Sequence, residues 1–463
     1  MKRARPVGAI IGESHAAPGA DTGSIAAGDE IAAVLGATRE RTHYGEHLVV
    51  RRWYSQPEAC AALNGALDLI AATAPRIAAD PAKWLFLDTE TTGLCGGTGT
   101  YAFLVGVAWW DGAGLQVEQY FLRDYADEHS MLVALAGRLA ERPVLVTFNG
   151  KSFDWPLLDT RYRMTRCIRV PEPVAHLDLL HPARRLWRLR LGSVRLSELE
   201  RSVLGAPSSQ VNWDRSSDVR SDMIPQIYFD YLRGGSPVPL LDVLRHNQMD
   251  LRGLAAVAAK VCALLDHPEE AHAGALELYG LSKLLRQRGP GECARARRLY
   301  ERSLAAGLPV AVARAARREL AALAKRERDY TRATALWEEL ASDVGAASYG
   351  RPFVRTNGHP QEGRAQGPAP TLDAVEAYEQ LAVYYEHRAR EPECALALAM
   401  DALAVLHRAG SAGVTSPAKY TRIRARLERR IVRLERKHRD TIRTLENSPL
   451  AGEMRIERRS SRI

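Results

Sequence analysis

The run Trp84-Leu-Phe-Leu87 passes directly into Asp88-Thr-Glu90, and this step from apolar to acidic constrains the fold more than any other stretch of the chain. Four consecutive large apolar residues fit a central strand buried on both faces. Residues two apart on a strand project from the same face, so Asp88 and Glu90 point together. Two carboxylates side by side at the end of a buried strand repel each other and lose hydration unless a cation neutralises them. Oxygen-only donors of this kind suit magnesium or manganese better than zinc.

Two further segments carry acids in comparable settings. Val144-Leu-Val-Thr-Phe148 predicts a second buried strand, Asn149-Gly150 a turn, and a helix from about Ser152 that places Asp154 in its first turn. A longer helix is predicted from about Leu240 to Leu265, with His246 and Asp250 four apart on one face. Asp88, Glu90, Asp154 and Asp250 therefore form a candidate ligand set for a pair of divalent cations, Mg2+ or Mn2+, and His246 is a candidate base beside them.

The order of these segments resembles the DEDD exonucleases of the ribonuclease H-like superfamily: strand Asp88-x-Glu90, then Asn149-Gly-x-x-Phe-Asp154, then His246 followed by Asp250. Within that group it is most similar to the YprB-type ribonuclease H-like domain family. Asp178 to Trp187 and Ile224-Pro-Gln-Ile-Tyr-Phe-Asp-Tyr-Leu232 resemble intervening segments of the same family, so the likeness covers roughly residues 80 to 265. It implies an α/β fold, a ribonuclease H-like mixed sheet with flanking helices, and hydrolysis of nucleic-acid phosphodiester bonds from a 3′ end. By the same resemblance Asp88 bridges two ions, Glu90 and Asp250 hold the ion on the nucleophile side, Asp154 holds the other, and His246 takes the proton of the attacking water. One spacing departs from the family. Members with His usually have four residues before the last Asp, and those with three usually have Tyr, whereas here three residues separate His246 from Asp250. A histidine packed beside the site on the helix surface is the alternative reading.

Other nucleotide motifs fail on position. Gly150-Lys-Ser152 lacks the glycine that a phosphate-binding loop needs five positions earlier, where Leu145 stands inside a strand. Gly93-Leu-Cys-Gly-Gly-Thr-Gly99 joins two strands, which fits a hairpin beside the acids better than a dinucleotide cradle. The six cysteines are scattered without paired spacing, which argues against structural zinc or disulfides and predicts a reducing, cytoplasmic setting. No apolar run is expected to reach the length of a membrane span, and no membrane partner is expected.

The 463 residues leave room for two or three domains. Residues 1–40 are expected to be a mobile Gly/Ala-rich segment, 41–80 an extension packing on the core with a strand-like piece at Leu48–Tyr54 and an Ala-rich helix, and 81–268 the α/β domain. Strands are predicted near 84–90, 101–110, 115–122 and 144–148, a helix near 129–141, and mainly helices after that. From 271 the composition turns to Ala, Leu, Arg and Glu. Ala296 with Tyr300, Ala333 with Trp337, and Ala395 with Ala399 each stand one turn apart in candidate helices, a weak repeat that resembles tetratricopeptide arrays. This predicts an all-α tetratricopeptide-like domain over 271–343 and 372–463, interrupted by a disordered insertion at 344–371, with a generic helical bundle as the other reading.

Sixty-four Lys and Arg against 55 Asp and Glu give a net charge of +9, which favours a polyanionic partner. Arg184, Arg185, Trp187 and Arg188 offer cations and a ring for stacking a base, and Thr91, Asn149 and Lys151 flank the acidic segments. These are the candidate contacts to DNA or RNA, with a single-stranded 3′ end the expected form. In the tail, Tyr420, Ile423, Leu427, Ile431 and Leu434 make an apolar stripe flanked by Arg, so a helix packed on the repeats with its basic face outward is predicted. A solvated helix face is the plainer reading of either basic run. A second function class is a catalytically weak nucleic-acid-binding scaffold whose helical region recruits a protein partner. The presence of all four carboxylates favours the enzyme.

Overall fold

A computed structural model of the chain describes residues 30–55, 67–71, 73–93, 98–112, 114–166, 168–169, 171–205, 213–269, 273–342 and 371–446. Most of the expected mobile amino-terminal segment, nearly all of the expected insertion at 344–371, part of the Gly93–Gly99 loop, and Cys60, Cys95 and Cys167 lie outside the described residues. The chain divides into two compact units, 1–184 with 191–267, and 185–190 with 268–463.

The first unit is built on a mixed sheet of seven strands: β1 (Thr38–Thr42), β2 (Gly45–Ser55), β3 (Trp84–Thr91), β4 (Ala102–Asp111), β5 (Gly114–Phe121), β6 (Val144–Thr147) and β7 (Ala175–Asp178), in the order β1-β2-β5-β4-β3-β6-β7. Neighbours from β1 to β3 are antiparallel, while β6 and β7 add in parallel. Flanking helices are α1 (Glu128–Glu141), α2 (Asp154–Thr165), α3 (Leu180–Leu191), α4 (Ile224–Leu232) and α5 (Leu240–Asp266). Leu85 and Leu87 of β3 join Leu132 and Leu135 of α1 and Leu158 and Tyr162 of α2 in one buried core.

Three expectations need correction here. The segment expected to lie on the core as an extension is part of the sheet itself, with Leu48 to Ser55 running antiparallel to Phe121 to Gly114. That pairing satisfies the backbone of β5, which would otherwise be an open edge. The expected mobile segment ends before residue 40, because Ile31 and Leu35 are buried in the same core. β7 was not predicted: Ala-His-Leu-Asp is too short and too polar to give an apolar-run signal, yet it pairs with β6 from Ala175 to Asp178.

A row across the sheet sets up the site. Asp88 of β3 aligns with Gly106 of β4, and Gly106 aligns with Gln119 of β5. A Cβ at Gly106 would overlap the Asn247 side chain and come 2.8 Å from Leu251 Cδ1. Glycine at this point is what lets α5 settle onto the sheet directly over Asp88.

In the second unit the described residues after 185–190 form helices α6 (Ala275–Gln287), α7 (Cys293–Ala305), α8 (Val310–Arg326), α9 (Tyr330–Ser342), α10 (Leu372–Tyr384), α11 (Pro392–Ser411) and α12 (Pro417–Glu446). Ala296, Ala333 and Ala395 are wholly buried, and small side chains there allow close helix approach. Ile423, Leu427 and Leu434 of α12 are buried as the stripe requires. Part of its basic charge is used internally: the Glu386 carboxylate, fully enclosed, meets Arg430 at 2.9 Å, Arg433 at 2.7 Å and Lys437 at 2.8 Å. α11, with 20 residues, is long and apolar enough to cross a membrane by length and composition, which corrects the expectation that no stretch reaches that size. Its Ala395, Leu398, Ala402 and Leu406 are taken up in a core shared with α10 and α12.

Candidate metal centre

The buried part of β3 ends at Leu87, and Asp88 and Glu90 follow where the strand emerges beneath α5. Asp88 Oδ2 accepts a hydrogen bond from Asn247 Nδ2 at 2.8 Å, and the same nitrogen donates to the Asp88 carbonyl at 3.3 Å. Asn247 Oδ1 accepts from Gln119 Nε2 at 2.8 Å. Gln119 Oε1 accepts from Gln248 Nε2 at 2.6 Å, and Gln248 Oε1 from the Tyr54 hydroxyl at 2.8 Å. A continuous polar chain thus runs from β2 through the buried centre of the sheet to the first acid.

Asp154 opens α2 and accepts from Thr89 Oγ1 at 2.6 Å. The turn that delivers it depends on Asn149, held in the left-handed region at φ 72°, and on Asp178. Asp178 Oδ1 accepts from the Asn149 and Leu180 amides at 2.8 and 3.0 Å, and Oδ2 from the Lys151 amide at 3.2 Å. This acid shapes the loop and caps α3.

On α5, His246 and Asp250 stand one turn apart. His246 Nε2 lies 3.7 Å from Asp250 Oδ2 and 3.9 Å from Glu90 Oε1, while Nδ1 lies 2.8 Å from Asp218 Oδ2. Glu90, His246 and Asp250 offer ligand atoms that all fall within 4.8 Å of one another, close enough to hold one metal ion. Burial, then repulsion from Asp250, Glu90 and Asp154, holds Asp88 well above the usual carboxylate range. Glu90 is raised in the same way by burial and by Asp250, Asp154 and Asp218, with Arg215 opposing. Burial also raises Asp154, against the Thr89 hydrogen bond. Acids so placed resist ionisation unless a cation joins them, and the oxygen-rich donor set with one imidazole fits a divalent cation.

Four participants were not among the candidates from sequence: Asn247, Glu200, Arg215 and Asp218. Asn247 sits inside the His246–Asp250 segment and could have been found by asking what faces Asp88. The others carry no motif. Arg215 donates from Nε and Nη2 to both oxygens of Glu200 at 2.6 and 2.7 Å, from Nη2 to Asp250 Oδ1 at 2.5 Å, and from Nη1 to Asp218 Oδ2 at 3.1 Å. Glu200 has no exposed surface and fills the space left by Gly253, where any Cβ would overlap its carboxylate. Burial pushes Glu200 up to about 7, with Arg215 pulling the other way.

The remaining candidates are placed differently. Arg184, Arg185 and Arg188 lie on the exposed side of α3. Trp187 has no exposed surface and so offers no ring to a base, correcting that expectation: with Ala183 and Leu186 it makes the buried face of the helix. Thr91 donates its hydroxyl to the Gly93 carbonyl at 2.9 Å, and Lys151 presents an exposed side chain in the turn before Asp154.

Residues 85–262 match a family model described as "RNase_H superfamily". The chain is also 32% identical over 263 residues to the "Uncharacterized protein YprB" of Bacillus subtilis (strain 168), an alignment covering 55% of this chain and 59% of that protein. The chain therefore spans about three fifths of the length of this relative.

Proposed function

We propose that the RNase_H superfamily domain formed by residues 85–262 is a metal-dependent nuclease that removes nucleotides from a 3′ end of DNA or RNA. The observation that carries this reading is the convergence of Asp88, Glu90, Asp154 and Asp250 from three separate elements, with Asp88 and Glu90 each raised by burial first and by their acidic neighbours after it. Two Mg2+ or Mn2+ ions held there would supply an activated water and charge stabilisation at the phosphoryl oxygens. Asp88 would serve both ions, Glu90 and Asp250 the one on the nucleophile side, and Asp154 the other. With the Nδ1 proton of His246 given to Asp218, Nε2 is the accepting nitrogen and faces Glu90 and Asp250. The three-residue spacing therefore still delivers an imidazole to the site. Exposed Arg184, Arg185 and Arg188, together with Thr91, Asn149 and Lys151, are the proposed contacts to the substrate strand.

The helical unit after about residue 268 belongs to the same proposal as a tetratricopeptide-like recruiting domain for a protein partner, and the setting is the cytoplasm. In support stand the buried alanines Ala296, Ala333 and Ala395 and the scattered spacing of the six cysteines. The second reading, a scaffold that binds nucleic acid without cutting it, shares this unit. Incubation of the purified chain with end-labelled single- and double-stranded DNA and RNA, in Mg2+, Mn2+ or chelator, separates the two. A ladder shortened from the 3′ end only with metal supports the nuclease, cleavage that persists in chelator rejects it, and retained binding without cleavage favours the scaffold.

A further inference from the structure

We infer that Arg215 is a positioning residue of this centre, fixing Asp250 directly and His246 through Asp218 so that a cation on the nucleophile side finds its ligands already oriented; this rests on the metal-nuclease reading. A guanidinium carries five N–H donors, and the bonds from Arg215 reach three carboxylates at once. The way they divide is informative. Asp250 gives Oδ1 to Arg215 and keeps Oδ2 facing His246 Nε2, 3.7 Å away. Asp218 uses one oxygen, Oδ2, for both Arg215 Nη1 and His246 Nδ1. One side chain thereby sets the rotation of a ligand carboxylate and the orientation of the imidazole.

Arg215 is itself anchored from behind. Its bidentate partner Glu200 is wholly buried, and the room for that carboxylate exists because residue 253 is glycine. A guanidinium clamped in this manner is held beside the centre and does not swing into it, so it acts as a brace for the ligands. A cation competing for the metal position would need the opposite arrangement, a flexible stem with both oxygens of Asp250 engaged. Partners of this kind that orient metal ligands typically alter metal affinity by about 10–100-fold when removed.

The test is Mn2+ binding to the full-length chain by isothermal titration calorimetry, for wild type, Arg215→Gln and the double variant Glu200→Gln with Arg215→Gln. The single variant makes the site one unit more negative, so charge alone would tighten binding, whereas loss of positioning weakens it; the two effects have opposite signs. The double variant also removes the Glu200 carboxylate, so no acid is left buried at position 200 without its guanidinium, and it carries the test if the single variant does not fold. The expected result is a Kd for Mn2+ raised about 10–100-fold in both variants, with the double variant melting close to wild type. Wild-type affinity in the folded double variant, or tighter binding in the single one, overturns the inference. A wild-type chain that takes up no Mn2+ instead overturns the metal-nuclease reading, and Arg215 falls with it.

Discussion

Asn247 Nδ2 donates to Asp88 Oδ2 at 2.8 Å while Asn247 Oδ1 is held by Gln119 Nε2, also at 2.8 Å, so the amide cannot turn without breaking both bonds. The carboxylate proposed to bridge two ions is therefore aimed by a residue with no exposed surface, itself fixed from a neighbouring strand. Replacing Asn247 by Leu removes the donor to Asp88 and leaves Gln119 short of an acceptor. The expected outcome is a loss of about 1–3 kcal/mol in stability and a rise of about 10–100-fold in the Mg2+ needed for half-maximal rate. Urea unfolding and a metal titration of the rate measure the two, and an unchanged metal requirement would deny Asn247 its role.

Gly106 is the steric counterpart of that bond. A methyl group there meets Asn247 and Leu251 together, and a helix packed against β3, β4 and β5 has little room to yield. Gly106→Ala should cost about 1–3 kcal/mol and lower the thermal midpoint, with a weakened metal response because α5 carries Asn247, His246 and Asp250 as one body. A variant that melts like wild type and binds metal normally would mean that the helix adjusts freely.

Asp88→Asn should abolish turnover and, in chelator, stabilise the protein. Asp88 is raised in the folded state by burial first and by Asp250, Glu90 and Asp154 after it. Between the ordinary aspartate value of about 4 and that raised folded value, the native state binds more protons than the unfolded one, so stability falls as pH rises through the window. Removing the ionisable group removes that loss. The metal-free variant should melt above metal-free wild type at neutral pH, with the difference shrinking toward pH 4 or so. A wild type that melts higher than the variant at neutral pH would contradict this sign.

His246 offers Nε2 to the same space as Glu90 and Asp250, which leaves two roles open to it, ligand and base. His246→Ala should lower the rate about 10²–10⁴-fold if the imidazole takes the proton of water, with Mn2+ affinity nearly preserved. A parallel loss of Mn2+ affinity would make it a ligand, and a rate close to wild type would leave it as packing.

The acids were legible because each is attached to a strong local pattern: Asp88 and Glu90 to a four-residue apolar run, Asp154 to a strand and turn, Asp250 to a long amphipathic helix. The strands near 101–110 and 115–122 were legible too, but the place of the rest in the sheet was not: β2 joins only by pairing with β5, β1 only by pairing with β2, and β7 is four residues with one imidazole and one carboxylate among them. Arg215 and Asp218 lie in a loop with no periodicity, and the bonds behind their proposed role form only where α5 and the π-helical Glu200–Leu204 come together. Trp187 is the opposite case: its four-residue spacing from Ala183 puts it on the buried face of α3, while Arg184, Arg185 and Arg188 around it occupy the exposed face.

The grouping of Arg185–Arg190 with residues 268–463 bears on any attempt to isolate the α/β unit. A fragment ending at His267 retains α3 but lacks the helices with which this stretch is grouped, and Leu186 and Trp187, at 1% and 0% exposure in the whole chain, lose their surroundings. Exposing a leucine and a tryptophan together creates an apolar patch on an otherwise arginine-rich helix. The fragment 1–267 should therefore self-associate on size-exclusion chromatography. Changing Leu186 and Trp187 to Gln within it should restore a monomer that still binds Mn2+, since both belong to the stretch grouped with residues 268–463 and not with the acids. An unaltered fragment that runs as a stable monomer with wild-type metal binding would show that α3 belongs wholly to the first unit, and that the division of the chain lies at residue 268 alone.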